Sequence, residues 1–148
     1  MRPGDRRVAW AQTVDGEAVV ATEQELVLQG DERLLWWQVS KVVWQRPQLS
    51  VWPVSDVESG GPPARQVTLG GDDRGFAEAV RARVTASIAW SSRAQLTTGG
   101  SVRIVGRRRP DREVLEWQLV FDTPAHRDDP AGRAEAETLL ENARRTVG

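Results

Sequence analysis

The 148-residue chain contains no cysteine and no tyrosine, and only one histidine, one methionine and two phenylalanines. Without cysteine there can be no disulfide, thiolate nucleophile, Fe–S cluster or thiolate zinc site. Lysine is almost missing as well, since Lys41 is the only one and every other basic side chain besides the histidine is arginine. A partner needing bidentate phosphate or carboxylate contacts would favour arginine. A GC-rich coding sequence would do the same, and is the plainer explanation. No window approaches the roughly 18 uninterrupted apolar residues of a membrane span. The opening MRPGDRRVAW meets charge within a few residues and has no apolar stretch of signal-peptide length. The expected location is therefore the cytoplasm. A formal net charge of −1 gives no global attraction for nucleic acid or anionic lipid, so any such contact needs a local patch.

What remains is ordinary globular material. Hydrophobic residues at 39% and charged residues at 28% exclude a disordered chain, and the length suits one domain over residues 1–148. Segments Arg7–Val14, Ala18–Thr22, Glu25–Gln29, Leu34–Val39, Val42–Trp44, Leu49–Val54 and Arg65–Leu69 read as short strands separated by turn signals. Asp15-Gly16 suits a two-residue type I′ hairpin turn. Ser59-Gly60-Gly61-Pro62-Pro63 is a loop, because paired prolines cannot sit in a strand ladder. Phe76, Val80, Val84 and Ile88 then recur every four residues, which predicts an amphipathic helix with Asp72 or Asp73 as N-cap. Val102–Arg108 and Glu113–Phe121 form a second hairpin around Pro110-Asp111, with Leu115, Trp117, Leu119 and Phe121 on its core face. Asp129-Pro130 opens a last helix, with Ala136, Leu139, Leu140, Ala143 and Val147 as its apolar stripe. The expected fold is α+β: a small, mostly antiparallel barrel or bent sheet with an amphipathic helix, a second hairpin and a C-terminal helix.

Four of the seven tryptophans fall in ERLLWWQVSKVVWQRPQLSVW, residues 32–52. Strand alternation puts Leu35, Trp37 and Val39 on the buried face and Leu34, Trp36 and Gln38 on the other. Trp36 is thus the candidate exposed contact. The expected buried set is Trp37, Val39, Val80, Val84, Trp117, Leu119 and Leu139.

Strands closed by an amphipathic helix resemble the pleckstrin-homology-like domains of bacteria. The stretch Val20–Leu28, with a threonine closing one strand and an apolar run opening the next, is similar to their second and third strands. Trp37–Trp44 is similar to their aromatic–polar–aliphatic segment, and Trp90 to the helix tryptophan of eukaryotic members. The resemblance covers residues 7–90 and leaves 91–148 as a hairpin-and-helix extension. The whole chain also resembles short proteins of high-GC bacteria, a likeness that implies no activity.

Candidate chemistry is sparse. His126, among Asp122, Asp128 and Asp129, has the residue types of a general base or metal ligand, but a lone histidine beside proline and aspartate fits a polar loop. Asp72-Asp73 and Asp128-Asp129 each precede a helix, where capping accounts for an acid. Gly70–Gly75 lacks the Gly-Lys-Ser/Thr ending of a phosphate loop, and neither Ser91-Ser92 nor Thr97-Thr98 has a histidine in reach. No enzyme, cofactor or metal is expected. The densest charge is Arg103, Arg107, Arg108, Arg109 and Arg112, an anion site if there is one, with Glu113 and Glu116 as competing cross-strand partners. Arg107 and Arg109 should share one face and Arg108 the other. The sequence thus points first to a non-catalytic module that binds protein, and second to an anion-binding domain using the arginine hairpin.

Overall fold

In chain order, the computed structural model has β1 (Arg7–Gln12), β2 (Ala18–Thr22), β3 (Glu25–Val27), β4 (Arg33–Leu35), β5 (Val39–Gln45), β6 (Gln48–Pro53), β7 (Val57–Glu58), β8 (Arg65–Thr68), α1 (Arg74–Ala86), β9 (Ile88–Gln95), β10 (Ser101–Arg107), β11 (Glu116–Phe121), α2 (Pro124–Asp128) and α3 (Pro130–Val147). It describes residues 6–54, 57–58, 65–71 and 73–147, so Asp72 and the loop expected over 59–63 lie outside the described residues. The fold is mixed α+β, with sheets β1-β2-β3-β4, β5-β6-β8 and β7-β11-β10-β9. All pairings are antiparallel except that of β7 with β11. The chain divides into two compact units: residues 1–53 with 63–87, and residues 54–62 with 88–148.

The first unit is built from local hairpins. Between β1 and β2 only Gly16 has a positive φ, at 85°. Its N–H reaches Thr13 O at 2.9 Å, and Thr13 N–H reaches Glu17 O at 2.8 Å. This is a longer turn with one left-handed glycine, not the expected type I′ pair, because Asp15 stays at negative φ. Thr22 fastens the next corner. Its Oγ1 accepts from the N–H groups of Gln24 (3.2 Å) and Glu25 (3.0 Å), while its hydroxyl donates to Glu25 O at 3.1 Å. A bridge between Thr13 and Leu69, with Val14 N–H on Thr68 O and Gly70 N–H on Gln12 O, ties the first sheet to β8. Among the described residues the strands do not close into a barrel, so the bent-sheet form of the expectation applies and the barrel form is corrected.

Helix α1 buries Phe76, Ala77, Val80 and Val84 in a core with Val19, Leu26, Val39, Leu49 and Val51. It ends before Ile88, contrary to the four-residue period. Ser87 turns its Oγ back onto Val84 O at 2.6 Å, a local bond that competes with helix continuation. Ile88 and Trp90 therefore belong to β9, a strand that the sequence reading missed. Asp73 occupies the N-cap position, but its side chain makes no capping bond.

In the second unit, β9, β10 and β11 pair in register so that Trp90, Gly106 and Trp117 align across the sheet, as do Ala94, Val102 and Phe121. The face carrying Val102, Ile104, Leu119 and Phe121 packs with Ala136 and Ala143 of α3, with Leu139 and Leu140 partly buried. Trp37, Trp117 and Leu139 of the expected buried set are only half-buried. Val39, Val80, Val84 and Leu119 are fully inside. The cap of α3 forms as expected, with Asp129 Oδ2 accepting from Gly132 N–H at 3.2 Å and Pro130 in the first helical position.

Candidate functional site

The arginines of the second hairpin do not converge. Strand β10 runs through Arg107, which puts that residue on the same face as Val105 and cross-strand from Glu116. Arg107 is fully buried, and its Nε donates to Gln118 Oε1 at 3.4 Å. The sequence reading included Arg107 in the strand Val102–Arg108 but counted it with Arg108 and Arg109 as part of the solvated tip, whereas its side chain lies on the buried face. Arg103 is half-buried, and its Nε is buried without a hydrogen-bond partner. Arg108 is exposed and donates from Nη1 to Ile88 O at 3.1 Å. Arg109 pairs with Asp111 at 2.8 Å and Glu116 at 3.0 Å, and Arg112 lies 3.8 Å from Glu116. The hydrogen bonds that Arg109 donates to Asp111 and Glu116 raise its pKa, and Arg109 in turn lowers that of Asp111. Of the expected site residues, Arg109 and Arg112 thus face acids of their own hairpin, Arg107 is buried, Arg103 is half-buried and Arg108 is exposed.

Trp36 also moves. The chain leaves β4 at Leu35 and makes a 3-10 turn over Trp36–Gln38, held by Gln38 Oε1 accepting from Leu35 N–H at 2.9 Å. Alternation stops at that turn, and Trp36, at 6% exposure, points inward with its Nε1 donating to Thr22 O at 2.9 Å. The proposed exposed contact is a core residue. Beside it, Glu25 is fully buried and paired with Arg33 at 2.6 Å, an ion pair that nothing in the sequence pattern signalled.

His126 lies on a short helix rather than in a loop. Thr123 caps that helix, and His126 Nδ1 sits 2.7 Å from Asp122 Oδ1 and 3.1 Å from Thr123 Oγ1. The ring rests against the β9–β10 turn, where a β-carbon on Gly100 (φ 79°) would collide with it. The hydrogen bond from His126 lowers the Asp122 pKa. Among the described residues, no group of three or more His, Cys, Asp or Glu side chains is arranged to hold a metal ion. The arrangement clamps a turn to a helix start.

Two surfaces that the sequence reading passed over are better candidates. In the first unit, β1 turns Ala9 and Ala11 inward and exposes Val8 and Trp10 (53%), and the turn that follows exposes Val14 (62%). A groove of about 750 Å³ runs beside it, lined by Trp10, Gln12, Val14, Gly16, Gly70 and Asp73 among others. Trp10 lies on the edge strand of its sheet. Gln12 O accepts from Gly70 N–H and Val14 N–H donates to Thr68 O, so by the two-residue strand period the backbone of Trp10 faces the side away from β2. The signal was legible as a reversed pattern, with alanines on one face and large apolar residues on the other. In the second unit, Val114, Leu115, Trp117, Glu141, Arg144 and Arg145 line a smaller groove of about 290 Å³.

No family model, curated protein or solved structure matches this chain. No helix among the described residues is long and apolar enough to cross a membrane.

Proposed function

We propose that this chain is a cytoplasmic, non-catalytic protein-binding module whose first unit is a pleckstrin-homology-like bent sheet. The observation that carries the reading is Trp10: a large aromatic side chain about half exposed on an edge strand, flanked by Val8 and Val14 and bordering a groove. Edge strands are normally blunted by charge, proline or bulges because they recruit other chains. A bulge does interrupt the β1–β2 register between Arg7 and Ala9, but Trp10 lies beyond it. Exposed tryptophan is costly on a free surface and is enriched where proteins meet. The pleckstrin-homology-like assignment is supported by four strands and three strands joined at the Thr13–Leu69 bridge, with α1 packed on β1, β2 and β5. The rival anion-binding reading is less well supported, since Arg109 and Arg112 already face Asp111 and Glu116.

The test immobilises the full chain and its Trp10→Asp variant and captures proteins from lysate at low and high salt. An apolar interface keeps its partner at both salt levels and loses it with Trp10→Asp. Capture that the substitution leaves unchanged, or that disappears with salt alone, overturns this reading.

A further inference from the structure

We infer that the groove between the entry to β11 and the end of α3 receives an acidic peptide segment carrying one bulky apolar residue. This site is formed by residues of the second unit alone, and the Trp10 surface by residues of the first. Its floor is apolar and pre-formed. Leu115 and Trp117 lie down over Gly106, where a β-carbon would meet Leu115 Cδ1 at 2.9 Å and the Trp117 ring at 3.2 Å. Trp90 braces the far side of Trp117, with ring centroids 5.7 Å apart. Val114, 58% exposed, forms an apolar lip.

Size and charge narrow the occupant. At about 290 Å³ the groove falls at the bottom of the range of about 300–1,000 Å³ that holds small molecules and cofactors. It matches a single anchoring side chain. Its lining carries two arginines, Arg144 and Arg145, against one acid, Glu141. Both arginines are exposed, and neither has an ion-pair partner among the described residues; Arg145 Nη2 donates only to Asn142 Oδ1, at 2.7 Å. Of the acids in the neighbouring turn, Asp111 and Glu116 are engaged by Arg109 and Arg112, and Glu113 is exposed and forms no ion pair with Arg144 or Arg145 among the described residues. The α3 dipole accounts for basic groups in its last turn. It does not account for an open apolar floor beside them. Carboxylates flanking the apolar anchor would reach both guanidinium groups in bidentate geometry.

A random-peptide display library panned against the full-length chain tests the inference. The expected result is enrichment of Asp- and Glu-rich sequences around one Leu, Ile, Phe or Trp. Affinity of the selected peptide, measured by fluorescence anisotropy, should fall about tenfold or more with Arg144→Glu/Arg145→Glu and with Val114→Asp. Both sets of residues are exposed, so circular dichroism melts should match the unaltered chain. Trp10→Asp should leave this affinity unchanged, which separates failure here from failure of the proposed function. Enrichment of basic or uncharged sequences, no enrichment, or a selected peptide insensitive to the groove variants overturns the inference. So does equal, groove-dependent binding of phosphatidylserine vesicles, which would make the ligand an anionic surface.

Discussion

The indole of Trp90 meets that of Trp117 across Gly106, with ring centroids 5.7 Å apart and planes tilted by 59°. The three residues are direct cross-strand neighbours. The central strand leaves out a side chain so that its two neighbours can touch, a tilted arrangement that aromatic pairs favour. Gly106→Val should therefore destabilise the chain by about 1–3 kcal/mol through overpacking. Trp117→Ala should cost about 3 kcal/mol, the low end for an aromatic truncation, since the ring is half-buried. Urea midpoints read both effects, and a Gly106→Val chain as stable as the original would show that the ring contact does not fix this part of the sheet.

Three consecutive arginines should behave differently. Arg107→Glu puts an acid into a fully buried site and should destabilise by about 3–5 kcal/mol. Arg108→Glu changes an exposed residue and should shift stability by about 0.5 kcal/mol or less. A thermal melt of each variant decides the order; equal effects would mean that Arg107 is solvated.

The Glu25–Arg33 pair offers a third test. Glu25 is fully buried while the Arg33 side chain keeps about a third of its exposure. Removing the cation takes the Arg33 ion pair away from a buried carboxylate. Arg33→Ala should cost about 2–4 kcal/mol, tempered by the water that Arg33 retains. Replacing both residues with apolar side chains of similar size should recover much of that loss. If Arg33→Ala melts like the parent chain, the pair is not holding β3 to β4.

The His126–Asp122 contact makes a pH prediction. The carboxyl of Asp122 is held below its ordinary value of about 3.9 by the hydrogen bond from His126. A depressed carboxyl adds stability above its unfolded pKa and loses it as the pH falls through the folded one. The contribution should thus be complete at neutral pH and vanish only in strong acid. In His126→Ala, an NMR titration of the Asp122 carboxyl should move back toward the ordinary value. An unmoved titration would assign the depression to the backbone N–H groups of Thr123 and nearby residues instead.

What could be read from the sequence was whatever obeyed one period without interruption. Leu119 and Phe121 of β11 and the Asp129-Pro130 start of α3 depend on neighbouring residues alone, and both took their expected places, whereas Leu115 precedes the strand and Trp117 is half-buried. Trp36 was misplaced because a three-residue 3-10 turn ended the alternation, and its only sequence signal was Gln38 reaching back to Leu35. Strand β9 was hidden because the helical spacing of Phe76, Val80 and Val84 happens to extend to Ile88. The hydroxyl of Ser87, not any change in hydrophobicity, stops it. The sequence reading assigned no faces to Arg7–Val14, where Ala9 and Ala11 point inward and Val8 and Trp10 outward.

The placement of β7 bears on how this chain is made. Residues 54–62 leave the first unit, contribute a strand to the second, and the chain then returns to finish the first before entering the second for good. On the ribosome, Val57 emerges long before its partner Leu119. The second sheet therefore cannot complete its β7 edge until synthesis has passed β11, more than 50 residues later. For the same reason no single cut releases either unit intact: cleavage after Ser87 would strand β7 on the wrong fragment. Two halves produced separately should complement each other only if the amino-terminal piece brings that segment with it.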